Sequence, residues 1–191
     1  KVGVIGYGVV GSGTVELFEK NRESICKKVG KDCDIKYILD LRDFPDSPFA
    51  DKMIKDFNIM LEDDEIEVVA EVVGGCTFAY DYTKKLLARG KSVVTSNKEL
   101  VAQHGAELIA LANEHNCNYL FEASVGGGIP IIRPLNKCLA GNSIEQISGI
   151  LNGTTNFILS KMIKEQMDFE TALKMAQDLG YAEKDPTADV E

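Results

Sequence analysis

The stretch that decides the fold of this chain is its opening, Val2-Gly3-Val4-Ile5-Gly6-Tyr7-Gly8-Val9-Val10-Gly11. A short β-branched run ends in three glycines spaced G-x-G-x-x-G and passes directly into a helical pattern, so we predict a strand, a tight turn and an amphipathic helix beginning near Gly11. Gly6 permits the turn, Gly8 lets a pyrophosphate approach the backbone, and Gly11 lets the helix lie close to the strand. The helix N-terminus offers unpaired N–H groups to an anion. We predict a dinucleotide-binding loop, with a ligand-free glycine turn as the alternative.

The composition excludes several classes of function. Of the 191 residues 45% are hydrophobic, 27% are charged, and the formal net charge is −9. No stretch reaches the roughly 18 apolar residues of a membrane span, and the densest basic runs are only Lys27-Lys28 and Lys84-Lys85. We therefore expect neither a membrane protein nor a nucleic-acid binder. The five cysteines form no C-x-x-C pair, so no zinc or redox motif is indicated, and reduced cysteines favour a cytoplasmic location.

Predicted strands and helices alternate through residue 122. Further strands are predicted at residues 34–39, 68–73, 92–95 and 118–122, and helices at 14–29, 77–89 and 100–113. A short helix is predicted through Met53, Ile54 and Phe57. This alternation is typical of an α/β fold, a Rossmann-type doubly wound parallel sheet with right-handed crossovers.

The pattern changes at the glycine-rich residues 124–130. We place a domain boundary there, with a dinucleotide-binding domain at residues 1–125 and a second domain at 126–191. In the second part we predict helices at 130–139, from Asn152-Gly153-Thr154-Thr155 onward and at 169–179, and one strand at 144–151. One strand and these helices cannot close a core, so we expect an incomplete α+β domain.

Two pairs of residues follow predicted strands at their carboxyl ends, where sheets of this kind bind ligands. Asp40 and Arg42 follow the second strand. A carboxylate there favours the free 2′-hydroxyl of NAD and an arginine the 2′-phosphate of NADP, so the choice stays open, as does the alternative of two surface charges. Gly74 and Gly75 follow the third strand, where they permit either close approach of a ligand or a simple turn.

Lys98 follows the fourth predicted strand, in Thr95-Ser96-Asn97-Lys98. It stands at a helix start, where the helix dipole opposes a cation by ~0.3–1 kcal/mol. A lysine in this position suggests a bound anion or a polarised carbonyl. An ordinary surface lysine is the alternative.

Five motifs, in order along the whole chain, resemble the homoserine dehydrogenase family. They are Gly6-Tyr7-Gly8-Val9-Val10-Gly11, Thr95-Ser96-Asn97-Lys98, Phe121-Glu122-Ala123-Ser124-Val125-Gly126-Gly127-Gly128-Ile129-Pro130, Ile150-Leu151-Asn152-Gly153-Thr154-Thr155-Asn156-Phe157 and Leu179-Gly180-Tyr181-Ala182-Glu183-Lys184-Asp185-Pro186-Thr187-Ala188-Asp189-Val190. The resemblance implies an oxidoreductase that interconverts L-homoserine and L-aspartate 4-semialdehyde with NADP or NAD, in threonine, isoleucine and methionine biosynthesis.

The resemblance also assigns residues. Lys98 matches a catalytic lysine between nicotinamide and substrate. Glu122, Val125, Gly127 and Ile129 match a monovalent-cation site of backbone carbonyls plus one carboxylate, which suits sodium. Thr154, Glu183 and Asp189 match substrate contacts, the carboxylates holding the amino group. The implied cofactor-binding residues are Gly6, Tyr7, Gly8, Val9, Val10, Gly11, Arg42, Gly74, Ser96 and Lys98.

This sequence differs from the family pattern at its end. In the family, a further Asp and then a Lys that exchanges the hydroxyl proton follow the position of Glu191. We therefore expect these 191 residues alone to bind nucleotide yet to turn over poorly or not at all. At full length the resemblance implies a homodimer, with residues 126–191 as part of a substrate and dimerisation domain. Another Rossmann-fold reductase of an amino-acid pathway, or a nucleotide-binding module without catalysis, stay open as alternatives.

Overall fold

The structure is a computed structural model, and it describes residues 1–150 and 152–182. The chain divides into two compact units, residues 1–137 and 138–191. The first contains the sheet and its flanking helices, and the second contains a pair of helices. Among the described residues no helix has both the length and the apolar character that a membrane crossing requires.

The first unit is built on a six-stranded sheet in which neighbouring strands run parallel. Its order is β3-β2-β1-β4-β5-β6, so the chain order reverses at β1, as in a doubly wound fold. This confirms the predicted α/β class. The strands are β1 Val2–Ile5, β2 Ile35–Leu39, β3 Met53–Ile54, β4 Val68–Glu71, β5 Ser92–Thr95 and β6 Tyr119–Leu120.

Strand register brings the functional loops to one edge. Ile5 pairs with Leu39 on one side and with Glu71 on the other, and Glu71 pairs with Thr95. Four neighbouring strands therefore end level with one another, and the loops that follow them emerge together. The cause is the parallel direction, which places all carboxyl ends on the same side.

Helices cover both faces of this sheet. They are α1 Val9–Val29, α2 Phe57–Glu62, α3 Thr77–Ala88 and α4 Lys98–Glu114. Because successive strand residues point to opposite faces, Val4 packs in one core cluster with Val15 of α1, and Ile5 packs in the other with Leu86 of α3 and Leu108 of α4. After α3, Gly90 has φ +73°, the left-handed conformation in which many helices end.

Three details of the first unit differ from the prediction. Helix α1 begins at Val9, before the predicted start near Gly11, so that the third glycine of the motif lies inside the helix. Met53 and Ile54 are not helical, because they pair with Ile38 and Leu39 and extend the sheet as an edge strand. The last strand is shorter than predicted: β6 ends at Leu120, and Glu122 begins a 3₁₀ turn over Glu122–Ser124.

The predicted helix at residues 130–139 is confirmed in position but not in type. Residues 132–138 are helical, and Pro134–Cys138 form a π-helical turn instead of part of a continuous α-helix. Pro134 has no N–H to donate to the carbonyl of Pro130, so a regular helix cannot run through both prolines.

The second unit contains α5 Gly153–Glu165 and α6 Phe169–Asp178, as predicted. The side chains of Asn152 and Asp168 cap their N-termini. Their small core contains Ile158, Ala172, Ala176 and Ala182. The predicted strand at 144–151 is wrong for its described part, since residues 144–150 are exposed and lie in no strand. A strand needs a partner for its backbone groups, and no described residue pairs with this segment.

Candidate functional site

The opening glycine loop forms a turn that larger residues would block. Gly6 has φ +95°, and a Cβ there would lie 3.0 Å from the carbonyl oxygen of Val72. A Cβ at Gly11 would overlap the carbonyl oxygen of Gly6. Helix α1 therefore starts in direct contact with the loop, which is the close approach that the spacing predicts.

The space in front of this turn is open. A Cβ added to Gly8 would have only Arg42 Nη2 within 4 Å, at 3.9 Å. The next residues are exposed, Val9 by 92% and Val10 by 53%. Because the first turn of α1 has no acidic residue and its leading N–H groups have no helical partners, this end can receive an anion such as a pyrophosphate.

Tyr7 takes part in the loop through its backbone. Its side chain is buried, with the hydroxyl 2.9 Å from Ser47 Oγ and the ring edge-on to Phe44 at 5.0 Å. Its backbone N–H donates to Asp40 Oδ2 over 2.8 Å. The side chain thus anchors the loop to the core, and any ligand contact of Tyr7 is restricted to main-chain atoms.

Asp40 and Arg42 form one ion pair. The guanidinium donates from Nε to Oδ1 at 3.0 Å and from Nη2 to Oδ2 at 2.8 Å, and the Arg42 backbone N–H also reaches Oδ1. These donors hold the pKa of Asp40 well below its ordinary value, and the Arg42 guanidinium has the largest effect. Burial of the carboxylate acts in the opposite direction. The Asp40 side chain is only 8% exposed, whereas that of Arg42 is 64% exposed.

A cavity of about 290 Å³ opens beside the ion pair. Its walls are apolar and aromatic apart from that pair, which suits the adenosine end of a nucleotide. Sequence reasoning missed Phe78 and Tyr82, although aromatic residues four apart on the helix after Gly74-Gly75 are a usable signal. The lining residues are Ile5, Gly6, Leu39, Asp40, Leu41, Arg42, Val73, Phe78 and Tyr82.

The loops after β4 and β5 also emerge at the carboxyl end of the sheet, beside the glycine loop. Gly74 is exposed, Ser96 is half-buried, and Lys98 is exposed at the first position of α4. Asn97 caps α4 by accepting from the N–H of Leu100 at 3.0 Å. Within the first unit, the structure thus brings Lys98, Ser96 and Gly74 to the same edge of the sheet as the glycine loop.

Sequence reasoning also missed Glu71, the last residue of β4. Its side chain is fully buried and accepts from the Thr95 hydroxyl at 2.6 Å and the Val73 N–H at 2.9 Å. Burial raises the pKa of Glu71 despite these two donors. A carboxylate inside the otherwise apolar run of residues 68–73 was the available signal.

The Glu122 carboxylate, in the 3₁₀ turn that follows the sheet, binds main-chain N–H groups of a later segment. It accepts backbone N–H groups from Ile131, Ile132 and Arg133 at 2.5, 2.9 and 2.7 Å. Burial opposes ionisation, but these three donors hold the pKa of Glu122 below its ordinary value. Gly126, between the proposed ligands, has φ +78° and accepts the N–H of Ile129.

These contacts limit how a cation could bind at residues 122–129. Among the described residues no three His, Cys, Asp or Glu side chains cluster to hold a metal. Because both oxygens of Glu122 already accept hydrogen bonds, a cation would depend mainly on carbonyl oxygens of Val125, Gly127 and Ile129. Hard oxygen donors of this kind are compatible with sodium.

Comparison with known proteins identifies the family. The model of the homoserine dehydrogenase NAD binding domain matches residues 6–122, and the model described as homoserine dehydrogenase matches residues 130–191. The chain belongs to the homoserine dehydrogenase family. It is 44% identical over its whole length to homoserine dehydrogenase of Bacillus subtilis and 43% identical to that of Pseudomonas aeruginosa, and it spans 45% and 44% of these two proteins.

Solved homoserine dehydrogenase structures have the same fold. The crystal structure from Thiobacillus denitrificans superposes with a TM-score of 0.91 at 40% identity, covering all of this chain and 44% of that one. A hyperthermophilic archaeal homoserine dehydrogenase in complex with NADPH gives a TM-score of 0.83 at 28% identity, covering 99% of this chain and 64% of that one.

Thr154, the predicted substrate residue that the structure describes, belongs to the second unit. Thr154 is buried at the start of α5, and its hydroxyl donates to the carbonyl oxygen of Tyr181 at 2.5 Å. The ring of Tyr181 stacks on Phe157 at 4.8 Å, so Thr154 joins the start of α5 to the turn after α6. Glu183 and Asp189 lie outside the described residues.

Proposed function

We propose that the protein, at its full natural length, is an NAD(P)-dependent homoserine dehydrogenase. It interconverts L-homoserine and L-aspartate 4-semialdehyde, and so serves threonine, isoleucine and methionine biosynthesis. The observation that supports this most is the match of both family models along one chain, residues 6–122 and 130–191. The glycine loop and Lys98, at one edge of the sheet, supply a binding loop and a cation for that reaction.

The first unit has the features that a nicotinamide dinucleotide requires. When bound, the nicotinamide ring supplies the hydride chemistry of the reaction. The main chain from Gly6 to Gly11 would hold the pyrophosphate against the start of α1. The cavity between Arg42 and Phe78 would hold the adenosine, and Gly74 and Ser96 would lie against the remainder of the cofactor.

We infer that the cofactor is NADP rather than NAD. Both oxygens of Asp40 already accept from Tyr7 and Arg42, so the carboxylate is poorly placed to receive a ribose hydroxyl. The Arg42 guanidinium has five N–H donors, and the two that bind Asp40 leave others for a 2′-phosphate. Arg42 is therefore the residue that would select the phosphorylated cofactor.

Lys98 is the proposed catalytic residue of the described part of the chain. Its ammonium would stabilise the developing alkoxide of homoserine, or the aldehyde oxygen in the reverse direction, by fixed positive charge. Lys98 lies at the start of α4, at the same edge of the sheet as the glycine loop, where its positive charge would act on an oxygen that gains negative charge. Proton exchange with the hydroxyl is assigned to the family lysine that follows the position of Glu191.

Further residues are proposed from the family pattern. Val125, Gly127 and Ile129, together with Glu122, would bind sodium. Thr154, Glu183 and Asp189 would contact the substrate, with the two carboxylates on its ammonium group. The proposal also includes a cytoplasmic homodimer and a domain boundary between residues 125 and 126, which lies before the division of the compact units at residues 137 and 138.

Steady-state kinetics of the full-length protein test this function. We expect NADP-dependent oxidation of L-homoserine, with kcat/KM for shorter and longer amino alcohols lower by at least about tenfold. Equal turnover of several amino alcohols would indicate another reductase of the same fold. NADPH binding by calorimetry without any turnover would indicate a nucleotide-binding module instead.

A further inference from the structure

Four residues at the ends of β4 and β5 form a closed ring of hydrogen bonds through their side-chain and main-chain groups. Glu71 accepts from the N–H of Val73 and the hydroxyl of Thr95, at 2.9 and 2.6 Å. Thr95 Oγ1 in turn accepts the backbone N–H of Asn97 at 2.9 Å. The ring closes because Asn97 Nδ2 donates to the carbonyl oxygen of Val73 at 3.3 Å, and it also reaches that of Gly75 at 2.7 Å.

The donors of this ring match an ionised carboxylate. Thr95 Oγ1 accepts the Asn97 N–H and donates its own proton to Glu71 Oε2. Val73 can only donate through its N–H. Both oxygens of Glu71 therefore act as acceptors, although the side chain is fully buried. A buried carboxylate is costly unless it is hydrogen-bonded, so its presence at this point needs an explanation beyond packing.

The ring joins the loop after β4 to the loop after β5, which leads into Lys98. One side of it holds residues 72–75, which follow β4. The other side holds Asn97, whose Oδ1 caps α4 at Leu100 N and whose next residue is Lys98. The glycine loop at Gly6–Gly11 is not a member. Displacement of the ring would therefore act directly on Lys98 and on the loop after β4, and would reach the pyrophosphate loop only indirectly, through Val72, which packs against Gly6 and Gly11.

We propose that Glu71 is a positioning residue for the reaction, which through Thr95 and Asn97 holds Lys98 and residues 72–75 in the geometry of hydride transfer. This rests on the proposed function. Glu71 touches no substrate in this role and acts through the loops. A displacement of about 1 Å in a reacting group can cost about 100-fold in rate, which gives the ring a catalytic effect larger than its effect on binding.

The test compares Glu71→Gln and Thr95→Val with the unchanged full-length protein. A glutamine that keeps the Val73 N–H contact turns its NH₂ group toward Thr95 Oγ1, so the threonine must change from donor to acceptor and the buried Thr95 proton loses its acceptor. We expect kcat to fall about 10- to 100-fold in both variants, with a smaller rise in KM for NADP, because the loop after β4 also lies against the cofactor. Thr95→Ser keeps the hydroxyl and should retain nearly full kcat.

Two comparisons distinguish a positioning role of Glu71 from a nonspecific loss of activity. Glu107→Gln is the matched control, because Glu107 is an exposed carboxylate paired with Lys84 and Tyr80 on the helix surface, and it should leave kcat unchanged. In the double variant Glu71→Gln/Thr95→Val the loss should be far smaller than the product of the single losses, since both break the same ring. Independent losses, or a raised KM with unchanged kcat, would overturn the proposal.

Amide hydrogen exchange keeps this test separate from the proposed function. We expect the N–H groups of Val73 and Asn97 to exchange faster in Glu71→Gln than in the unchanged protein, with or without NADPH. If the unchanged protein lacks homoserine turnover, the proposed function fails, and the exchange rates still decide whether Glu71 holds the loops. Unchanged exchange at both amides would overturn the positioning role in either case.

Discussion

Replacement of Gly11 by alanine is the sharpest test of the glycine loop. A Cβ at this position would overlap the carbonyl oxygen of Gly6, lie 2.8 Å from its carbonyl carbon and lie 3.3 Å from Val72 Cγ2. Ordinary contacts begin at 3.4 Å, so α1 and the loop must separate by at least 0.6 Å at the carbonyl carbon. Two of these three atoms belong to the main chain and cannot rotate away. We expect a loss of about 1–3 kcal/mol in the free energy of unfolding, as for other overpacked sites.

The same separation should weaken cofactor binding, because it moves the first N–H groups of α1 away from the pyrophosphate position. We expect the Kd for NADPH to rise roughly 10- to 100-fold, which corresponds to about 1.4–2.8 kcal/mol. Urea denaturation measures the first effect and isothermal titration calorimetry the second. Gly13→Ala is the matched control: it lies in the same helix with nothing within 4 Å of the added Cβ, and it should stabilise α1 by up to about 1 kcal/mol. If Gly11→Ala behaved like Gly13→Ala in both assays, the structural account of the loop would be refuted.

Three further predictions concern the edge of the sheet. Arg42→Ala should raise KM for NADP by about 10- to 100-fold and change KM for NAD by less than about threefold, in steady-state kinetics with each cofactor; equal changes would contradict the assignment of Arg42 to the 2′-phosphate. Lys98→Ala should lower kcat by about 10²–10³-fold, whereas a change within a few-fold would remove its electrostatic role. Because Arg42 lowers the folded-state pKa of Asp40, this carboxylate stabilises the fold above its unfolded pKa of about 3.9. That stabilisation should decline progressively as the pH falls from about 4 toward the lower folded-state pKa, and urea midpoints of Asp40→Asn should change less over this range than those of the unchanged protein.

The sheet was predictable because its signals are local. The run from Val2 to Ile5 and the three glycines after it determine a strand, a turn and a helix within one short segment. The edge strand Met53–Ile54 was not predictable, since two residues give no period and only the pairing with β2 makes them a strand. Residues 144–150 show the reverse case. Their alternating pattern is typical of a strand, but no partner among the described residues pairs with it.

The positions of the site residues were predictable and their contacts were not. The rule that ligands bind at the carboxyl ends of parallel strands places Arg42 and Lys98 at one edge. It does not reveal that Asp40 is occupied by the N–H of Tyr7. That contact joins residues 33 positions apart and depends on the register of β1 against β2. Phe78 and Tyr82 were missed for a related reason, because a helical aromatic pair is typical of a core until the cavity beside it is seen.

Three carboxylates near this edge accept hydrogen bonds from the main chain, and this affects the charge that the edge presents to a ligand. Asp40, Glu71 and Glu122 each accept backbone N–H groups from a neighbouring loop. Their negative charges are thereby directed into hydrogen bonds with the main chain, while the cations Arg42 and Lys98 are exposed. A chain with a formal net charge of −9 can in this way present positive groups to an anionic cofactor, since a carboxylate that holds a loop need not repel the phosphates. Conversion of Asp40 or Glu71 to its amide would therefore remove negative charge near the cofactor and still weaken function, because each would lose the loop contact that its charge maintains.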